Sequence, residues 1–343
     1  MFLLDGHLDL AYNAVRGREI LRPAREQITD EEGIPTVGLP DLHAGGVGLA
    51  IATIFCESGK SSSVGYTTAD EAAAAGRRQL DWYHRHEEGG YFRIVRSKAE
   101  LPSSGMPAIY GNVPLTSPSP ALPIVLLLEG ADPIRDAAEV GWWHQQGLRA
   151  VGLAWKQTRY AGGTLAPGPL TPAGIELARA LDKSGIIHDT SHLAEESFWQ
   201  LLEITTGPVM ATHSNCRAIV PTDRQLSDAM IRAVAARGGV IGINFYQKFL
   251  LPPDEFERRR ATLADVVRHC KHLCDLLGHA RQVALGTDMD GGLGRDEIPV
   301  EIQTSADLPR VADALSAGGF GDQDVHGIMG KNWLRFLREA IPG

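Results

Sequence analysis

The sequence predicts an α/β protein whose eight parallel strands close into a (β/α)8 barrel. Two observations support this prediction: eight short apolar runs recur along the 343 residues, and segments with helical character separate most of them. Strand–helix alternation repeated in this way is typical of a closed parallel barrel. A doubly wound open sheet is the alternative, but its first turn is normally glycine-rich, and the first turn here reads HLDLAYN.

The apolar runs have the length and composition of buried strands. Each is too short for a helix and too continuously apolar for a half-exposed antiparallel strand. Each is therefore typical of a parallel strand that is buried on both faces. The eight runs comprise residues 2–9, 47–55, 123–129, 148–155, 185–190, 208–213, 239–245 and 282–288.

Seven segments between or after these runs are predicted to be helices. They comprise residues 68–87, 136–146, 171–184, 195–205, 227–237, 262–277 and 325–340. Thr171 and Ser227 stand where a short oxygen-bearing side chain caps the first turn of a helix. Gly147 and Gly185 follow predicted helix ends, where a left-handed backbone favours glycine.

Residues 1–343 are predicted to form one domain, because no linker or internal repeat divides them. Two stretches interrupt the alternation of strands and helices. Residues 89–122 are rich in Pro, Ser and Gly, and we expect an irregular but ordered excursion beside the barrel. Residues 246–262 follow the seventh strand, and we expect a lid-like loop there.

The composition disfavours nucleic-acid and membrane partners. The formal net charge of -9 is opposite to that of proteins that bind a phosphate backbone. The apolar start MFLL is too short for a signal peptide, and no later stretch reaches about 18 apolar residues. The four cysteines form no CxxC pair, which favours reduced thiols. We therefore expect a cytoplasmic protein.

Residue types that bind metal ions occur where the predicted strands end. Because the carboxyl ends of all barrel strands meet at one rim, side chains that are distant in sequence converge there. Imidazole nitrogens and carboxylate oxygens together suit a pair of zinc ions, and one carboxylate can bridge both. The six candidate ligands are His7, Asp9, Glu129, His192, His213 and Asp288.

The first two candidates show why spacing matters. Residues i and i+2 of a strand point to the same side, so His7 and Asp9 can reach one ion. A lone His-x-Asp pair is common by chance. Four further candidates at later strand ends make this pair part of one predicted metal site.

Eight motifs resemble successive signatures of the membrane (renal) dipeptidase family of the amidohydrolase superfamily. They span nearly the whole chain in the family's order: DGHLDL (5–10), DLHAGGVG (41–48), LLLEG (126–130), DTSH (189–192), ATHSN (211–215), GGVIGINFY (238–246), LGTDMDG (285–291) and GIMGKNWLRFLRE (327–339). The resemblance implies a barrel of the metal-dependent hydrolase type, two divalent metal ions and a dipeptide substrate. Zinc is the expected metal, and a homodimer is also implied.

The resemblance further implies a ligand set and catalytic roles. One zinc ion would bind His7, Asp9 and Glu129, and the second would bind Glu129, His192 and His213. Glu129 would bridge the ions, where many amidohydrolases use a carboxylated lysine. Asp288 would lie beside the first ion and act as general base and then as general acid. Arg224, in PTDRQLSD, would hold the substrate carboxylate and stabilise the oxyanion.

One position departs from the family's pattern. Its better-known members carry a histidine at the end of the fourth strand, in a segment like LTHN. This chain reads GLAWKQTRYAGG there, with Trp155 in that place. Tryptophan donates one hydrogen bond but cannot be protonated. Trp155 either packs in the rim or contacts the substrate, and we expect Arg159 and Tyr160 to supply replacement polar contacts.

Three functions therefore remain to be compared. The leading hypothesis is a zinc dipeptidase that acts on short dipeptides with a free C-terminal carboxylate. A second enzyme hypothesis keeps the site but takes N-acyl amino acids, lactams or cyclic amides, and Trp155 keeps it open. The third is a protein that binds metal without turnover, which the complete ligand set with Asp288 disfavours.

Overall fold

The part of the chain that the structure describes forms a closed barrel of eight parallel strands. The computed structural model describes residues 1–60, 62–103 and 120–343. The barrel strands are β1 (Leu3–Leu8), β2 (Val47–Phe55), β3 (Leu122–Glu129), β4 (Leu148–Gly152), β5 (Ile187–Asp189), β6 (Val209–Met210), β7 (Ile241–Ile243) and β8 (Val283–Leu285). Strands β1 to β6 belong to one parallel sheet, and β7 pairs in parallel with β8.

Two sets of contacts close these strands into a barrel. Ala211, directly after β6, bridges to Ile241 of β7. Between β8 and β1, the carboxylate of Asp5 accepts hydrogen bonds from the Thr287 backbone at 2.9 Å and from its hydroxyl at 2.6 Å. Asp5 is fully buried, so these bonds satisfy a carboxylate that water cannot reach. The predicted barrel is confirmed.

The register of the strands brings their carboxyl ends to one rim. Glu129 of β3 pairs with Phe55 of β2 on one side and with Gly152 of β4 on the other. Gly152 in turn pairs with Asp189 of β5. Residues that end or follow these strands therefore face a common space above the barrel.

Apolar side chains fill the barrel below this rim and meet a helix that closes its base. The interior residues include Leu4, Leu49, Ile51, Val125, Leu127, Ala150, Ile187, Met210 and Ala284. They share one apolar cluster with Trp333, whose indole N–H donates to the Leu285 carbonyl at 2.8 Å. A Cβ at Gly6 would lie 2.8 Å from both that carbonyl and the Trp333 ring, so only glycine fits in β1 there.

Helices surround the strands. The α-helices in the described residues are Leu10–Arg16, Leu39–Ala44, Ala69–Glu88, Val140–Gln145, Pro172–Lys183, Glu195–Ile204, Asp228–Ala236, Gln247–Leu250, Pro253–Phe256, Leu263–Leu277, Arg310–Ala317, Asp322–His326 and Asn332–Ala340. Five of the seven predicted helices agree with these bounds to within one residue at each end.

The predicted helix caps are present. Thr171 accepts a hydrogen bond from the Gly174 N–H at 3.0 Å, and Ser227 accepts one from the Met230 N–H at 3.3 Å. Gly147 has φ 105° and ends its helix in the left-handed region. These short-range signals therefore mark the helix ends correctly.

Two predicted helices are interrupted. Residues 136–146 begin with a 3-10 turn, Ala137–Glu139, before the helix Val140–Gln145. The predicted continuous helix over residues 325–340 is wrong, because Gly327–Lys331 forms a wider turn that breaks it. Gly330 departs from helical geometry within this turn (φ 173°, ψ -25°) and packs closely against β1, where a Cβ would lie 2.8 Å from the Leu4 nitrogen.

The two irregular stretches contain short elements. Within residues 89–103, Phe92–Ile94 pairs with the first residues of β3. The remainder of the predicted excursion includes residues 104–119, which lie outside the described residues. Residues 246–262 contain the short helices Gln247–Leu250 and Pro253–Phe256, which stand at the rim. A further hairpin, Ala161–Gly163 with Ala166–Leu170, follows β4.

Candidate metal centre

The six predicted ligands converge at the carboxyl ends of the strands. Their nitrogen and carboxylate oxygen atoms form three groups of three, and the atoms of each group lie within 4.8 Å of one another. The groups are His7 with Asp9 and Glu129, Glu129 with His192 and His213, and His7 with His213 and Asp288. Glu129, His7 and His213 each belong to two groups, and of these Glu129 is the carboxylate, the ligand type that can bridge two ions.

The two oxygens of Glu129 face different histidines. Oε1 lies 3.2 Å from His192 Nε2 and 3.4 Å from His213 Nε2. Oε2 lies 3.3 Å from His7 Nε2. The Nε2 atoms of His192 and His213 are 3.0 Å apart. Three imidazole nitrogens and one carboxylate therefore share a very small volume.

Hydroxyl groups hold the outer nitrogens of the same rings. Thr212 Oγ1 lies 2.8 Å from His213 Nδ1 and 3.2 Å from His7 Nδ1, and its own proton goes to Asp189 at 2.6 Å. Thr164 Oγ1 lies 3.0 Å from His192 Nδ1. With a proton on each Nδ1, the Nε2 lone pairs point inward, as metal-ligating histidines require.

The charges at the centre favour a bound cation. Burial lowers the pKa of both His192 and His213, so these rings stay neutral. Burial also lowers the pKa of His7, but the nearby Glu129 and Asp9 carboxylates outweigh it and raise that pKa to about 10. Buried carboxylates thus create a strong demand for positive charge at this position.

The donor set fits divalent metal ions. His7 Nε2 is buried and has no hydrogen-bond partner of adequate geometry among the described residues. Mixed imidazole and carboxylate ligands suit zinc and chemically similar ions. A ring nitrogen that faces carboxylates without a well-formed hydrogen bond is the arrangement that such an ion satisfies.

Asp288 is held in a constrained geometry beside the cluster. Its Oδ2 accepts a hydrogen bond from Asn244 Nδ2 at 2.8 Å, and its Oδ1 lies 3.9 Å from His7 Nε2. Asp288 (φ 59°) and His192 (φ 64°) both adopt the left-handed backbone region, which non-glycine residues rarely occupy. A Cβ at Gly291 would lie 2.0 Å from Asp288 Oδ1. Backbone strain of this kind accumulates at functional sites.

The cluster lines a cavity of about 690 Å³, a size typical of sites for small molecules. Four of the six candidate ligands face it directly: Asp9, Glu129, His192 and Asp288. Aromatic and aliphatic side chains form much of the remaining wall, and the two short helices after β7 contribute part of it.

Arg224 also lines this cavity and is 4% exposed. It donates to the His213 carbonyl at 2.7 Å and to Ser214 Oγ at 3.1 Å, and it lies 5.1 Å above the Phe249 ring. A guanidinium group has five N–H donors. Two hydrogen bonds fix its position and leave donors for a carboxylate ligand.

Of the three predicted contacts after β4, only one faces the cavity. Trp155 lines it, whereas Arg159 and Tyr160 do not. Arg159 pairs with the Asp132 carboxylate at 3.2 Å, and the Tyr160 hydroxyl donates to the Ile134 carbonyl. The prediction that these two side chains contact substrate is therefore corrected: the chain turns into the hairpin after β4 and directs both toward the loop after β3.

Sequence reasoning missed the polar residues that orient the ligands. They are Thr53, which donates to Asp9, together with Thr164, Thr212 and Asn244. Asn244 follows β7 directly and Thr212 lies two residues after the end of β6, so their position near strand ends was a usable signal. Thr164 lies in the turn of the hairpin after β4, and the sequence carried no signal for its position.

Replacing Thr212 with valine should weaken metal affinity about 10- to 100-fold, as loss of a group that orients ligating histidines does. The substitution removes the contacts to both rings and to Asp189 but keeps the side-chain shape. Competition with a chromogenic chelator measures the affinity. Thr205→Val is the matched control, because the buried Thr205 hydroxyl donates to the Leu201 carbonyl at a helix end, away from the metal site. Equal affinities in both variants would refute this role.

A parallel barrel with histidines and carboxylates clustered at the carboxyl ends of its strands is the arrangement of a metal-dependent hydrolase. Comparison with known proteins agrees with this class. Residues 1–341 match the membrane dipeptidase family, peptidase family M19. The chain belongs to this family, and it is a hydrolase of the metallo-dipeptidase class.

The individual relatives share a modest fraction of identical residues with this chain. A solved dipeptidase AC, a metallopeptidase of family M19, superimposes with a TM-score of 0.81 at 26% identity, covering 100% of this chain and 99% of that chain. An uncharacterized protein from the pqqA 5' region of Klebsiella pneumoniae is 33% identical over 229 residues, 64% of this chain and 82% of that protein. Dipeptidase aclJ of Aspergillus oryzae is 26% identical over 352 residues, 98% of this chain and 78% of that protein.

Other curated relatives align over about half of their own length or less. Within the described residues, no helix combines the length and the apolar character needed to cross a membrane.

Proposed function

We propose that this chain is a zinc-dependent dipeptidase that hydrolyses the amide bond of short dipeptides with a free C-terminal carboxylate. The observation that carries the proposal is the placement of Arg224 in the same cavity as Glu129, which two groups of ligand atoms share. A centre for amide hydrolysis and a cation for a carboxylate thus stand together.

Two sets of residues would hold the metal ions. They are His7, Asp9 and Glu129 for one ion, and Glu129, His192 and His213 for the other. Ions bound there supply an activated water at neutral pH and polarise the scissile carbonyl.

The chain's own residues would perform the remaining tasks. Asp288 would accept a proton from the attacking water and return it to the leaving amine. The hydrogen bond from Asn244 keeps the other oxygen of Asp288 in place during this transfer. Arg224 would bind the substrate carboxylate with its remaining N–H donors, which sets the distance from that carboxylate to the scissile bond.

A substrate panel with metal removal tests the proposal. The protein is stripped with a strong chelator, then assayed before and after zinc is restored. The substrates are Ala-Ala, its C-terminal amide, N-acetyl-alanine and a cyclic dipeptide. We expect zinc-dependent hydrolysis of Ala-Ala and much slower hydrolysis of the amide, because the amide carries no carboxylate for Arg224.

The other outcomes select other functions. Faster turnover of the N-acetyl or cyclic substrate would indicate an amidohydrolase acting outside dipeptides, the reading that Trp155 keeps open. Two bound ions per chain with no turnover of any amide would indicate a metal-binding protein. Turnover that persists fully in the chelator would contradict the metal-dependent mechanism.

A further inference from the structure

Three aromatic side chains form one side of the cavity, which we call the aromatic wall: Tyr12, Phe55 and Trp155. The ring centroids of Tyr12 and Phe55 are 5.1 Å apart, and those of Phe55 and Trp155 are also 5.1 Å apart. Val64 packs with Tyr12 and Phe55 in the same apolar cluster. The wall is therefore supported by packing and presents a continuous apolar surface to the cavity.

The metal-site histidines lie between this wall and Arg224. The Trp155 ring is 6.2 Å from the His192 ring, which is 4.9 Å from the His213 ring. Arg224 donates to the His213 carbonyl at 2.7 Å. A chain of contacts therefore runs from Arg224 through the two histidines to Trp155 and Phe55.

A dipeptide has one orientation that suits this order. Its C-terminal carboxylate reaches Arg224, so the C-terminal side chain stays near that arginine. Its scissile carbonyl then lies at the histidines. The residue on the amino side of the scissile bond continues toward Trp155.

We propose that the aromatic wall is a specificity subsite for a large apolar side chain on the amino-terminal residue of the dipeptide. This proposal rests on the proposed dipeptidase function. Trp155 is the residue that joins the wall to the metal centre, which gives the tryptophan at this position a role in substrate selection.

Of the charged groups next to the wall, Glu32 and Lys156 contact residues of the wall itself, and Glu57 also lines the cavity. Glu32 accepts a hydrogen bond from the Tyr12 hydroxyl at 3.1 Å and forms an ion pair with Arg16. The Lys156 ammonium lies 4.9 Å from the centroid of the Trp155 ring. The three rings of the wall themselves thus offer apolar contact to a substrate side chain.

The size of the expected preference follows from burial. Covering a phenylalanine or leucine side chain is worth a factor of roughly 10 to 100 in kcat/KM relative to glycine. The experiment uses the zinc-loaded protein and two panels. One varies the first residue, from Gly-Ala to Leu-Ala, Phe-Ala, Lys-Ala and Glu-Ala, and the other varies the second, from Ala-Gly to Ala-Phe.

We expect kcat/KM to rise at least 10-fold from Gly-Ala to Phe-Ala and Leu-Ala, with a smaller change across the second panel. In Trp155→Ala the Phe-Ala to Gly-Ala ratio should fall toward one. Trp199→Ala, which removes a tryptophan that is 40% exposed and is not among the residues lining the cavity, should keep the ratio.

A second measurement does not depend on turnover. Binding of Phe-Ala to metal-free protein should change the tryptophan fluorescence, and Trp155→Phe should lose most of this change although five other tryptophans remain. Three results would overturn the subsite: kcat/KM that does not vary across the first panel, a preference set by the second residue, or a Phe-Ala to Gly-Ala ratio that Trp155→Ala leaves unchanged. The dipeptidase function would stand in each case. Failure to hydrolyse any dipeptide after zinc loading would instead overturn the function.

Discussion

Glu129→Gln is expected to lower dipeptide kcat/KM by about 1,000-fold or more and to leave less than the wild-type metal content. Loss of a residue that only orients metal ligands lowers metal affinity or activity about 10- to 100-fold. Loss of a carboxylate that two ligand groups share should lower them further. Glutamine keeps the shape of the side chain but loses the charge that faces His7, His192 and His213. Metal content after dialysis and steady-state kinetics measure the two effects.

A matched variant separates this effect from a general loss of charge. Glu203→Gln changes an exposed glutamate on the helix Glu195–Ile204, so its metal content and activity should equal those of the wild type. Circular dichroism verifies that both variants are folded. Retention of full metal content and activity by Glu129→Gln would contradict its bridging role.

Asp288→Asn is expected to lower kcat by about 100- to 10,000-fold, the range for loss of a general base. Asparagine can still accept the hydrogen bond from Asn244, so the side chain should keep its position. KM should change much less, because Arg224 continues to hold the carboxylate. Asp288 occurs in one of the three ligand groups, so metal loss should be smaller than in Glu129→Gln.

The pH profile distinguishes a proton acceptor from a simple ligand. The wild type should lose activity at low pH as the base becomes protonated, and the residual activity of Asp288→Asn should lack this limb. The reference variant is Asn244→Ala, which keeps the Asp288 carboxylate but removes the hydrogen bond that orients it. Its activity should fall between that of the wild type and that of Asp288→Asn. An Asp288→Asn enzyme with wild-type kcat at saturating zinc would exclude this carboxylate from the proton transfer.

The barrel was predictable because its signal is local. Buried parallel strands are apolar on both faces and short, so runs such as residues 47–55 stand out without any knowledge of their partners. Helix caps are equally local, since Thr171 and Ser227 act on N–H groups within three residues. The break in the last helix was missed because it occurs at Gly330, whose close packing against β1 depends on the completed fold.

In the candidate site, too, the residues placed by local signals were predictable and those placed by tertiary packing were not. His7, Glu129 and Asp288 could be placed because strand ends converge in any parallel barrel. The supporting hydroxyl of Thr164 could not, because it arrives on a hairpin whose path depends on tertiary packing. Arg159 was assigned to the cavity from proximity in sequence to Trp155, yet the turn between them sends it to Asp132.

The helix Asn332–Ala340 closes the base of the barrel beneath β1, and this has a consequence for biosynthesis. Trp333 contacts Gly6 and the Leu285 carbonyl, so the interior is sealed only after residues more than three hundred positions apart have met. Contacts with such long sequence separation slow folding. While a ribosome is still making the chain, no helix covers the base of the apolar strands already synthesised. The growing chain is therefore most exposed to aggregation just before this helix is added.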